Sequence, residues 1–129
     1  MGAASLFGPV MSQLEKGKPI IELTYPRFWQ TPEGNLQFSC RRRTSSDGDS
    51  MLIDYNSETG TWHNTRLIDS GRGFFQDTVG KSNSRNAYPN GYDYDSQGKL
   101  HVTWVWREGP HQANHDLIPH FSYAVRGRR

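Results

Sequence analysis

The feature that most constrains this chain is a near-repeat of itself about 63 to 66 residues on, with both copies written in period two. Tyr25-Pro26 returns as Tyr88-Pro89, and Gly34-Asn35-Leu36 returns as Gly98-Lys99-Leu100. Arg41 and Asp49 have approximate counterparts in Arg107 and Asp116. A repeat of this length is one supersecondary unit that has to bury its apolar face against a neighbour.

Within each copy the residues alternate as strands do. In the first, a β-rich run over 24–29 leads into the turn Thr31-Pro32-Glu33-Gly34-Asn35. Leu36, Phe38 and Cys40 then alternate with Gln37, Ser39 and Arg41. Met51, Ile53 and Tyr55 follow, and a turn over 56–60 opens a fourth run, 62–68. In the second copy a run over 87–94 reaches the turn Asp95-Ser96-Gln97-Gly98. Leu100, Val102, Trp104 and Trp106 alternate with His101, Thr103, Val105 and Arg107, and a third run covers 117–125. Period-two alternation bounded by Gly-, Pro- and Asn-rich turns predicts antiparallel strands. Helical spacing is confined to residues 4–14, where Gly8 and Pro9 interrupt it.

Four strands per unit, repeated, is the pattern of β-propeller blades. The expectation is therefore all-β: a partial propeller of about two four-stranded antiparallel blades, the second incomplete. Residues 1–20 form a poorly specified N-terminal segment and 21–68 the first blade. Residues 69–86, polar and glycine-rich, form a connecting loop, and 87–129 carry the second blade and a basic tail, Arg126-Gly127-Arg128-Arg129. The turn Asn56-Ser57-Glu58-Thr59-Gly60-Thr61-Trp62 is a degenerate Asp-box, a blade turn without chemistry of its own.

Composition narrows the function classes. Fifteen Lys and Arg against 13 Asp and Glu leave a net charge of +2, too even for a protein that coats nucleic acid. Six Phe, six Tyr and four Trp argue against disorder. The single cysteine, Cys40, excludes an internal disulfide and a multi-cysteine zinc site. No apolar run approaches the ~20 residues that cross a bilayer, so no membrane is expected. Residues 1–20 lack the basic start and apolar run of a secretion leader, and the location is left open.

Several segments together resemble the central part of the BNR-repeat-containing family of seven-bladed propellers, which includes ulvan-type polysaccharide lyases. They are Thr24-Tyr25-Pro26-Arg27-Phe28, Gly71-Arg72-Gly73, Asn86-Ala87-Tyr88-Pro89-Asn90-Gly91 and Leu100-His101-Val102-Thr103-Trp104-Val105-Trp106-Arg107-Glu108, followed by Asn114-His115-Asp116-Leu117. The resemblance runs from about residue 23 to 117. It implies β-elimination at a uronate, in which a base removes the C5 proton and the bond at C4 breaks. It assigns the acting tyrosine to Tyr25, the carboxylate-side arginine to Arg41 and a second tyrosine to Tyr88. It further implies full-length relatives that are secreted. The family's histidines precede the YPRF strand, and residues 1–20 contain none, which implies no activity for this chain in isolation.

Each of these residues has a plainer alternative. Tyr25 is either that base or an aromatic that opens an inner strand ahead of Pro26. Arg41 and Arg43 share one face and Arg42 the other; they hold a uronate or sulfate, or they are a solvated strand end. Arg27, Asn90, Arg107 and His115 complete the candidate substrate-binding set, with Asp116 or a carbonyl setting the His115 tautomer. Trp104 and Trp106 read as packing aromatics, and His101 as a between-blade residue. His111, His115 and His120 match no zinc spacing, so no metal or other cofactor is expected. The expected partner is an anionic polysaccharide. The alternatives are a non-catalytic glycan-binding or interaction module and a truncated product that self-associates through open blade edges.

Overall fold

The computed structural model describes residues 12–123, apart from 46, 77 and 79. These residues form nine strands: β1 (Leu23–Gln30), β2 (Leu36–Arg42), β3 (Ser50–Asn56), β4 (Thr61–Asp69), β5 (Arg72–Gln76), β6 (Lys81–Ser84), β7 (Asn86–Tyr94), β8 (Leu100–Arg107) and β9 (His115–Tyr123). β1 to β4 make one antiparallel meander and β7 to β9 a three-stranded one, as a full blade and an incomplete blade require. Most of the helical spacing over 4–14 and all of the basic tail lie outside the described residues.

The connection between the blades is more than a loop. β5 and β6 pair as a separate two-stranded hairpin inside it. Its glycines and polar residues hid the strands, because a short exposed hairpin has no buried face to write alternation into the sequence.

The turns that close the first two strands of each blade are built alike. Gly34 donates to the Thr31 carbonyl at 2.9 Å and Gly98 to the Asp95 carbonyl at 3.0 Å. Both glycines are left-handed, at φ 85° and 74°, which a side chain would strain. In the blade turn after β3, the Asn56 side-chain oxygen accepts from Glu58 and Thr59 N–H at 2.9 and 3.1 Å. This is an Asx-type turn, in keeping with the degenerate Asp-box.

Alternation divides the first sheet into two differently packed faces. Phe38 and Cys40 lie opposite Ile53 and Met51, and Leu14, Ile20 and Trp62 pack on them. The other face presents Gln37, Ser39 and Arg41 from β2 and Ser50 and Leu52 from β3, all buried. Leu52 joins Ala87, Leu100, Val102 and Trp104 in one cluster shared by the two sheets, with Trp29, Tyr92 and Trp106 packed around it. Each fully buried aliphatic side chain there contributes about 2 kcal/mol of transfer free energy. Trp104 and Trp106 are thus packing residues.

A polar network seals the same interface farther out. Asp54 accepts from Arg66 at 2.7 and 3.1 Å, from Gln37 at 2.8 Å and from Asn64 at 2.7 Å. Tyr94, from the second blade, donates to the Gln37 side-chain oxygen. Burial alone would raise the Asp54 carboxyl, but its bonds to Arg66, Gln37 and Asn64 outweigh that and hold it below its ordinary value.

Candidate functional site

The two inner strands, β1 and β7, each carry a register slip beside a proline. In β1 the pairing with β2 slips between Thr24 and Arg27; in β7 the pairing with β8 slips between Pro89 and Gly91. A proline has no N–H to give the ladder, and each slip lies at or next to one: at Tyr25-Pro26 in β1 and at Asn90, just after Pro89, in β7. Tyr25, directly ahead of Pro26, is driven to φ 57°. For a tyrosine this left-handed backbone costs on the order of 1–2 kcal/mol, which the surrounding contacts hold in place.

Those bulges bring Tyr25 and Tyr88 together across the blade interface. Their rings meet edge to face, centroids 5.6 Å apart and planes at 67°. One hydroxyl joins them: Tyr25 donates to Ser45 Oγ at 2.9 Å, and Ser45 Oγ shares a 2.9 Å hydrogen bond with the Tyr88 hydroxyl. Ser45 is a site residue that sequence reasoning missed. It lies in a polar loop with no periodicity to mark it.

Arg41 lies under the pair. Its guanidinium carbon is 4.6 Å from the Tyr88 ring centroid and 5.4 Å from that of Tyr25. The residue is only 3% exposed, and its Nη2 donates to the Ala87 carbonyl of the second blade. Its Nε and Nη1 are buried with no protein acceptor. Arg41 is therefore neither a solvated strand end nor an open fork facing solvent. Its charge faces the two aromatic rings.

Asp69, at the end of β4, belongs to the same cluster and was also missed. Burial pushes its carboxyl up to about 6, against the opposing pull of Arg41 and of the Ala87 N–H; neighbouring Asp49 adds to the rise. Nothing in the local pattern around Asp69 distinguishes it from any strand-end carboxylate.

The other expected residues divide. Arg27 Nη1 donates to the Asn90 backbone carbonyl at 3.0 Å, so Asn90 contributes its main chain and the pair ties the inner strands together. Arg107 lies 5.6 Å from the Tyr88 centroid while its Nε and Nη2 hold the Gln112 and Pro110 carbonyls, both at 2.7 Å. Arg43 does not share a face with Arg41. The strand ends at Arg42, Arg43 turns to φ 76°, and its guanidinium pairs with Asp47 at 3.1 Å. Gly48 enforces this corner, because a Cβ there would overlap the Arg42 carbonyl. His115 Nε2 is 3.8 Å from Glu108, away from the tyrosines' cavity wall. His101 makes a 2.8 Å bond to Asp95 in the β7–β8 turn.

A cavity of about 40 Å³ lies behind the tyrosines, with Arg27, Ser39, Arg41 and Ser50 in its wall. Cys40 also lines it, and burial pushes its thiol up to about 11, which makes it a poor nucleophile. At the other end of the inner strands an open groove of about 410 Å³ runs past Trp29, Tyr92 and Tyr94. Two of its polar groups are engaged, Tyr94 on Gln37 and Asp95 on its own turn and His101, while the buried Trp29 Nε1 has no partner.

A family model described as a BNR repeat-containing family member matches residues 1–128. The chain belongs to the BNR repeat-containing family. That membership makes the two meanders blades of a propeller-type BNR module, one with four strands and one with three. No curated protein matches the chain.

Proposed function

We propose that this BNR-repeat module carries part of a site for an anionic polysaccharide, with Tyr25 as the proton-accepting group of a β-elimination. One observation carries the reading: Tyr25 and Tyr88, from two blades, meet through Ser45 above a single buried guanidinium. In the elimination, the base takes the proton from C5 of the uronate, the C4–oxygen bond breaks, and the leaving oxygen gains a proton. A fixed cation under the pair stabilises the negative charge that a proton-accepting phenolate carries. The Ser45 hydroxyl gives that proton a hydrogen-bonded route between the two phenols. Arg41 supports the tyrosines from below, and contact with a sugar carboxylate falls to the exposed Arg27.

The burial of Arg41 favours a second reading, a module that binds the glycan without chemistry. Two measurements separate them. Retardation of the chain in a gel containing a sulfated, uronate-bearing polysaccharide, but not a neutral one, supports the site; equal retardation by both, or none, refutes it. A rise in ultraviolet absorbance from an unsaturated uronate, lost in Tyr25→Phe with retardation kept, supports elimination. Binding without any such rise leaves the glycan-binding module, and a rise unchanged in Tyr25→Phe sinks the tyrosine assignment.

A further inference from the structure

The buried donors of Arg41 ask for an acceptor that the protein does not supply. Its Nη2 is satisfied by Ala87, but Nε and Nη1 are not, and the residue is 3% exposed. Leaving such N–H groups unpaired carries their full desolvation cost, which is larger on a cation. Arg41 forms part of the wall of the cavity of about 40 Å³ behind the tyrosines. One water-sized occupant needs on the order of 10–15 Å³, so this space admits a small ion and excludes a sugar ring.

The wall is rich in donors. Two guanidinium groups, Arg27 and Arg41, line the space with Ser39, Ser50 and Tyr92, and no carboxylate does. Ser39 is hydrogen-bonded to Tyr92, and Arg27 Nη1 to the Asn90 carbonyl. Ser39 and Ser50 are themselves 3% and 6% exposed. A water placed there has only the serine and tyrosine oxygens to accept its two hydrogens and brings no charge to the guanidinium, whereas a halide is acceptor only and carries the opposite charge. Asp69 and Asp49 lie near enough to act on this cluster but are not part of the cavity wall. They temper the positive field and so set a modest affinity.

The geometry points to a small monovalent anion site, of chloride size, between the two blades and held by Arg41 with Ser39 and Ser50. Bound there, the ion satisfies the buried guanidinium and fixes the plane on which Tyr25 and Tyr88 rest. This inference concerns an inorganic ion behind the tyrosines and stands or falls separately from the glycan reading.

The test is a melting experiment on the whole chain in sodium gluconate, replaced stepwise by sodium chloride at constant ionic strength. At ten times the dissociation constant the melting temperature rises by about 5 °C. Arg41→Met loses the chloride response and Arg42→Met, at an exposed position, keeps it. If Arg41→Met does not fold, crystals of the unaltered chain grown in bromide decide the matter by anomalous scattering. A peak within hydrogen-bond distance of Nε or Nη1, together with the chloride response, supports the site. No chloride response, a response kept in a folded Arg41→Met, or a bromide peak at crystal concentration only would each overturn it.

Discussion

Replacing Asp69 by asparagine isolates one buried carboxyl and makes a signed prediction about pH. In the folded chain burial raises Asp69 from an ordinary 3.8 to about 6. The folded state therefore binds this proton more tightly than the unfolded state does. The resulting stabilisation is fully present below the unfolded value and is lost as pH rises through about 6. A shift of about 2 units at roughly 1.4 kcal/mol each gives about 3 kcal/mol over the whole range. Between pH 4 and 7 roughly 2–3 kcal/mol of this is lost, because both titrations extend past the ends of that window. From about pH 5 downward other groups oppose the trend. Thr65 holds Glu15 at about 2, His101 holds Asp95 at about 2, and Asp54 is also lowered, so their contributions fade as pH falls. Urea unfolding from pH 4 to 7, with a slope of roughly 1–3 kcal/mol per molar, should move the midpoint by about 1–2 M in the unaltered chain. In Asp69→Asn most of that movement disappears. Equal pH slopes in the two proteins would show that Asp69 is solvated in the folded chain and that the interface around Arg41 is open.

Three further outcomes are expected. Leu52→Ala, at the centre of the cluster shared by both sheets, should cost about 2–5 kcal/mol in urea unfolding and loosen the interface. Gly48→Ala should destabilise by more than about 2 kcal/mol, because its Cβ overlaps the Arg42 carbonyl, whereas Gly98→Ala meets no such clash and costs only its φ strain, about 1 kcal/mol. Arg66→Met leaves the partly buried Asp54 carboxylate without its two-pronged partner; a loss of about 3 kcal/mol at pH 7, shrinking as Asp54 protonates in acid, is read from paired unfolding curves.

Much of this architecture is legible from local patterns. The alternation from Leu100 to Arg107 predicted β8 over its full extent, and the paired glycines at 34 and 98 predicted both tight turns. The repeat set Tyr25 and Tyr88 against each other, and each stands directly ahead of a proline on an inner strand, Tyr25 inside its strand's slip and Tyr88 still paired with Val105. The hairpin of β5 and β6 was not legible, since its strands are short and β5 is broken by Gly73. Arg43 was misplaced because period two was carried one residue past the end of its strand, where a left-handed backbone breaks the rule.

The sequence by itself determined where the chain extends and where it turns. Those features depend on neighbours a few residues away: alternation sets the faces of a strand, and glycine or proline sets the dihedral angles. Only the tertiary structure decided what each face meets. Arg41 sits in a run of three arginines that looks like surface, yet packing of the second blade buries it under two tyrosines and against Ala87. Ser45 and Asp69 enter the site through that same packing. Their roles depend on groups tens of residues away in the chain, and no local pattern records which side of a sheet a distant blade will cover.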